Sequence, residues 1–230
     1  MTFPRAALGA LLCCLASSSI DAAARAPVPA TTPAVPVAQP RPRVALETSL
    51  GRIVLELYPQ RAPATVANFL EYARAGHYNG TVFHRAIPGV LVQGGAFTPD
   101  LQPKPERAPV ANEAGNGLAN TRGTLVAARR PSLPDSAGAQ FYINLRDNRG
   151  FDRKAPSPPE AAGFAVFGRV IDGLEIADRI AALPTAPRAP FTQDMPVLPV
   201  VIERTEILPS VAPDPATDPA TPIAPAPPRQ

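Results

Sequence analysis

The chain has 230 residues, 45% of them hydrophobic and 18% charged, and a formal net charge of +3. An excess that small, carried by scattered arginines with no basic run and no cationic amphipathic helix, argues against a nucleic-acid or membrane-surface partner. Two histidines and two cysteines are too few for a metal centre of the usual nitrogen and sulfur type, so neither metal nor cofactor is expected.

At the N-terminus, Arg5, the apolar run from Ala6 to Leu15 and the small residues Ala22, Ala23 and Ala24 form the three parts of a cleavable export signal over residues 1–24. The apolar run is too short to stay in a bilayer as a span. Cys13 and Cys14 both fall inside it, so the mature chain would hold no thiol, which suits an oxidising compartment such as the periplasm. The rival reading is a lipid anchor on either cysteine. Leu12 or a second cysteine precedes each, where a small residue would be expected. Residues 25–42 and 209–230 are proline and alanine with little else, holding six and eight of the 32 prolines. Such segments read as disordered flanks of a single domain over residues 43–208.

Within that domain, Arg43 to Thr48 and Arg52 to Tyr58 alternate as paired strands across Ser49-Leu50-Gly51. Pro63 can open a helix, Val66, Phe69, Leu70 and Ala73 follow at helical spacing, and Gly76 can end it. Next comes V-F-H-R-A-I-P-G-V-L-V-Q-G-G-A-F, from Val82 to Phe97, which sets one arginine and one glutamine among apolar residues. Its period-two alternation puts Arg85 on the face of Phe83 and His84 on the other. Pro88-Gly89 makes the turn, and Val90 to Gln93 is the return strand, so Arg85 and Gln93 can lie side by side. Further strands are expected near Thr124 to Ala128, Phe141 to Asn144, Phe164 to Val170 and Val200 to Leu208. A second helix is expected from Gly173 to Ala181, with Asp172 as its N-cap. Many short strands with two helices indicate a mainly β fold, a closed antiparallel barrel.

The run F-H-R-A-I-P-G-x-x-x-Q-G-G-x-F resembles the signature of cyclophilin-type peptidyl-prolyl cis-trans isomerases. Asn112-Glu113, Asn120 to Leu125, Ser136 to Asn144 and Phe164 to Val170 follow in that family's order, and the chain is most similar to its bacterial periplasmic group. The resemblance implies an eight-stranded barrel with a helix over each open end. It also implies an isomerase acting on proline-containing, unfolded or partly folded polypeptides, as a monomer.

An X-Pro bond rotates over a barrier of roughly 18–20 kcal/mol set by amide resonance. In the twisted state the prolyl nitrogen regains its lone pair, so a positioned cation that donates to it favours that state over the planar one. By resemblance Arg85 is that donor, and Gln93 bonds the peptide carbonyl and orients Arg85. Gln140 braces Arg85 or the neighbouring loop, and Ala128 with the backbone of Arg129 holds the peptide main chain. Leu91, Tyr142 and Phe151 enclose the proline ring, with Val90 on the wall and Phe164 beside it.

Five positions depart from the best-known family pattern. Val90-Leu91 replaces phenylalanine-methionine, Tyr142 replaces phenylalanine, Gly150 falls near a tryptophan, and Phe164 replaces a histidine. A weaker grip on proline and on cyclosporin follows, and a proline-binding chaperone with little turnover is the alternative function. Hydrolase chemistry fits less well, since no Gly-x-Ser-x-Gly elbow is present. His77 reads as a solvated loop residue, and His84 as buried or hydrogen-bonded rather than as a base.

Overall fold

The computed structural model describes residues 40–154, 158 and 161–211; the segment expected to be an export signal, both cysteines and most of the proline-alanine flanks lie outside the described residues. The strands are β1 (Arg41–Thr48), β2 (Gly51–Leu57), β3 (Thr81–Ile87), β4 (Leu91–Gly94), β5 (Thr124–Ala127), β6 (Phe141–Asn144), β7 (Val166–Asp172), β8 (Thr185–Arg188), β9 (Phe191–Pro196) and β10 (Val200–Val211). Eight of them close a barrel in the order β1-β10-β3-β4-β6-β5-β7-β2, every pairing antiparallel. The other two, β8 and β9, form a separate hairpin that the proline-rich sequence had not announced.

Alternation along the strands fills the barrel. Val44, Leu46, Ile53, Leu55, Leu57, Phe83, Val92, Leu125, Phe141, Ile143 and Phe167 meet in one buried core. Two helices complete it: α1 (Pro63–Arg74) adds Val66, Phe69, Leu70 and Ala73, and α2 (Leu174–Ala181) adds Ile176, Ala177, Ile180 and Ala181. The ring of Phe69 lies 5.6 Å from Phe141 and 5.3 Å from Phe167, so α1 is keyed into the aromatic centre. No local side chain caps α1. Its first amides are taken instead by Glu113, whose carboxylate accepts from Ala64 N at 3.1 Å and Thr65 N at 2.8 Å. A carboxylate at a helix N-terminus satisfies orphan donors and complements the dipole. At the seam of β1, β2 and β7, buried Glu56 accepts from Arg41, Arg43 and Arg169 at 3.1–3.4 Å.

Three expectations are corrected here. The second helix has Gly173 at its N-cap, not Asp172, which ends β7. With φ at 80°, and with a β-carbon there colliding with the Arg52 carbonyl, only glycine fits the position. The strand expected over Phe164 to Val170 runs from Val166 to Asp172. The outer strands also extend beyond residues 43–208, since Arg41 pairs with Val211. Pro42 is accommodated because it falls where the register slips between Arg41 and Arg43, so its missing N–H breaks no regular ladder. Among the described residues no helix is long and apolar enough to cross a membrane.

Candidate active site

Five strands carry one row of side chains across the outside of the barrel. Arg85 pairs with Gln93, Gln93 with Tyr142, Tyr142 with Val126, and Val126 with Val166. Directly opposed residues point to one side of a sheet about 5 Å apart, so the row runs from a polar end at Arg85 and Gln93 to an apolar end. Leu91 shares the face of Gln93 two residues on. Leu91, Val126, Tyr142 and Val166 are buried together, with Ile87, Val90, Leu118, Ala128, Phe151 and Phe164 packed against them. This second apolar cluster adjoins a guanidinium that is 41% exposed.

Arg85 reaches the outer row because β3 is bulged. The register slips between Phe83 and Arg85, and both Phe83 and Ala86 point into the interior core. Unbroken alternation would have placed Arg85 beside Phe83, inside the barrel. One extra residue moves everything after it to the other face. His84 and Arg85 therefore both face outward, against the expectation that they oppose each other. His84 packs 4.9 Å from Phe97 and 5.0 Å from Phe191. Burial above all, with the Arg85 charge acting in the same direction, lowers His84 to about 4, so the imidazole is neutral.

The partner of Arg85 is Asp194 on β9. Arg85 Nε donates to Asp194 Oδ2 at 3.4 Å, whereas Gln93 Nε2 donates to Gln140 Oε1 at 3.0 Å. The two glutamines brace each other rather than the arginine. Asp194 lies 109 residues from Arg85 and was missed in the sequence, where Pro187, Pro190 and Pro196 obscured the hairpin that carries it.

A network of buried amides forms a floor under the outer apolar cluster. The Tyr142 hydroxyl donates to Asn120 Oδ1 at 3.3 Å, and burial holds that hydroxyl well above its ordinary pKa. Asn144 Nδ2 also donates to Asn120 Oδ1, at 3.2 Å, and Asn148 Nδ2 donates to the Val90 carbonyl at 3.0 Å and to Asn144 Oδ1 at 2.7 Å. The floor is thus tied to the Val90 rim. On the far wall the rings of Phe151 and Phe164 stand 5.5 Å apart, each 6.0 Å from Tyr142. The Arg129 guanidinium lies 4.6 Å over Phe164 while its Nε donates to the Gly163 carbonyl.

Gln93, Gln140, Ala128, Arg129 and Ser136 line a polar recess of about 150 Å³. Asp135, in the loop that borders it, accepts from Asn112 N at 2.8 Å, so this carboxylate ties down the loop. The Ala128 amide donates to the Gln140 carbonyl at 3.0 Å and is not available to a peptide. Gly95, at φ 99°, brings the chain against Ala139 and Phe141, where a β-carbon would lie only 3.0 Å from either, and its carbonyl lies 3.1 Å from His77 Nε2. His77 is accordingly a half-buried residue packed on Tyr72, not a solvated one.

Residues 43–207 match the family model of the cyclophilin type peptidyl-prolyl cis-trans isomerases. The chain belongs to this family. Over 165 residues the cyclophilin domain is 52% identical to the peptidyl-prolyl cis-trans isomerase cyp18 of Streptomyces antibioticus, a match spanning 72% of this chain and 98% of that protein. Over 164 residues it is 43% identical to peptidyl-prolyl cis-trans isomerase B of Escherichia coli strain K12, spanning 71% and 98%. The crystal structure of a Cryptosporidium parvum cyclophilin type isomerase in the presence of the dipeptide Ala-Pro matches the fold with a TM-score of 0.59 at 25% identity, covering 73% of this chain and 99% of that one. Membership places this cyclophilin among enzymes of the peptidyl-prolyl cis-trans isomerase class.

Proposed function

We propose that this cyclophilin accelerates rotation about X-Pro bonds of exported polypeptides while they fold in the periplasm, acting as a monomer, with Arg85 stabilising the twisted prolyl amide. The observation that carries the reading is the direct pairing of Arg85 with Gln93 at the edge of an apolar cluster on the barrel's outer face. A proline ring seated against Leu91, Tyr142 and Phe151 puts its nitrogen toward the polar end of the row. Gln93 then takes the carbonyl of the preceding residue, and the Arg85 guanidinium meets the nitrogen lone pair that appears only on twisting. An interaction made only in that state raises the rate rather than the affinity. A differential of about 5–8 kcal/mol is equivalent to roughly 10⁴ to 10⁶ in rate.

The solved relative prepared with Ala-Pro supports a proline peptide as the ligand. Export rests on Arg5, the apolar run Ala6 to Leu15 and the alanines at 22–24. Because the Ala128 amide is already committed, an added peptide strand would pair with the Ala128 carbonyl and the backbone of Arg129.

The test is cis-trans exchange of an Ala-Pro peptide followed by NMR. Arg85→Ala is expected to lower kcat/KM by about 10² to 10³ while peptide shifts still show binding. Catalysis unchanged by the substitution would remove Arg85 from the mechanism. Binding without catalysis in the unmodified protein would favour a proline-recognising chaperone, the reading that the small Val90 wall supports.

A further inference from the structure

We propose that Asp194 is a positioning residue for the isomerase reaction, holding the Arg85 guanidinium by its Nε so that the Nη edge faces the prolyl nitrogen. The inference rests on the reading of Arg85 given above. Its starting point is the β8–β9 hairpin, which stands off the barrel as its own two-stranded sheet yet is pinned to the outside of β3. Phe191 stacks on His84 with centroids 5.0 Å apart and meets Phe97 edge-on at 5.0 Å. Met195 is buried with Val82 and Leu101. These anchors fix the chain three residues before Asp194 and immediately after it.

Between the anchors β9 departs from regular pairing. The register slips after Ala186 opposite Met195, and Asp194 has φ 61°. Asp and Asn enter that left-handed region more readily than other side-chain-bearing residues. The turn brings Asp194 Oδ2 to Arg85 Nε at 3.4 Å, and the same oxygen accepts from Gln193 Nε2 at 3.3 Å. A guanidinium tied at Nε still has four N–H groups on its two Nη atoms, in one plane.

Magnitude decides what the contact is for. Arg85 is 41% exposed and Asp194 24%, and ion pairs this accessible add little to folding. Orientation is a separate matter. An arginine left to solvent samples many rotamers and must give up that freedom when the amide twists, whereas one held beforehand does not. The hairpin is thus a rigid arm whose contribution appears in catalysis.

The experiment uses the full chain, with Asp194→Asn as the main variant because asparagine keeps the tolerance for left-handed backbone while losing the charge. Saturation kinetics on an Ala-Pro peptide are expected to show kcat down by about tenfold with KM little changed, since Arg85 acts only on the twisted amide. Asp194→Glu should recover part of the loss, and Arg85→Ala with Asp194→Asn should be no slower than Arg85→Ala alone. The Arg85 Nε–H resonance should shift in Asp194→Asn while the Phe191 and Met195 signals stay in place, showing the hairpin still docked. A kcat unchanged or raised in a docked Asp194→Asn, or a change confined to KM, would overturn the positioning role and leave Arg85 as the donor. Full activity of Arg85→Ala would overturn both readings together.

Discussion

Of the apolar clusters that share the walls of this barrel, two, the large one inside and the one around Tyr142 outside, divide neighbouring residues of a single strand between them. On β6, Phe141 points inward to Phe69 and Tyr78, whereas Tyr142 points outward to Phe151 and Phe164. The inner cluster is closed by two helices and enclosed by its own side chains. The outer one is rimmed by half-exposed Ile87, Val90, Phe151 and Phe164. The interior of this eight-stranded barrel is filled by buried side chains, so it cannot serve a peptide. A ligand is left with the outer wall. Phe141→Ala is therefore expected to cost about 3–5 kcal/mol in urea unfolding, with the kcat of the molecules that remain folded unchanged. Phe164→Ala should cost only about 1 kcal/mol of stability and instead raise KM for an Ala-Pro peptide. Equal destabilisation by the two would make the outer cluster a second core, and the contrast between them would fail.

His84 sharpens the contrast, because it is a buried titratable group on the outer side. Its folded value of about 4 lies below the ordinary 6.5, so folding favours the neutral ring. The sign follows directly: above about pH 6.5 both states are neutral, and the stability is fully present. As pH falls toward 4 the unfolded chain takes up a proton that the folded one refuses, and up to about 3 kcal/mol is lost. Denaturation at pH 7 and pH 4.5, compared between the unmodified protein and His84→Phe, isolates this contribution, because carboxylates and His77 titrate in both. A pH dependence as steep in His84→Phe as in the parent would mean that the ring is not desolvated.

Much of this is legible in the amino-acid sequence. The β3–β4 turn at Pro88-Gly89, the pairing of Arg85 with Gln93, both helices and the closed barrel follow from period-two and period-3.6 patterns together with the ordered family motifs. What escaped was set by geometry that leaves no local trace. The bulge at His84 reverses the facing of Arg85 without changing a residue type. Glu113 caps a helix 48 residues away, and Asp194 reaches Arg85 from a hairpin whose prolines argue against strands. Asn120 belonged to a recognised motif, but nothing in the motif said that its amide joins Tyr142, Asp152 and Asn144 beneath the pocket. Periodicity reports which side of a regular strand a residue takes. It says nothing about where regularity is interrupted or which distant carboxylate fills the gap.

The smallest expected effect tests whether the outer cluster only holds the proline or also takes part in the twist. Val90 stands at the rim, and its carbonyl is fixed by Leu145 N at 2.9 Å and Asn148 Nδ2 at 3.0 Å, so a change of side chain there leaves the backbone in place. Val90→Phe restores an aromatic wall worth roughly 1 kcal/mol of ring contact, or about a fivefold lower KM for an Ala-Pro peptide, with stability within about 0.5 kcal/mol of the parent. A wall that grips the planar and twisted forms equally lowers KM and leaves kcat alone. A rise in kcat would instead mean that the added ring contacts the twisted form better than the planar one. The apolar cluster would then share the catalytic work of the polar end of the row.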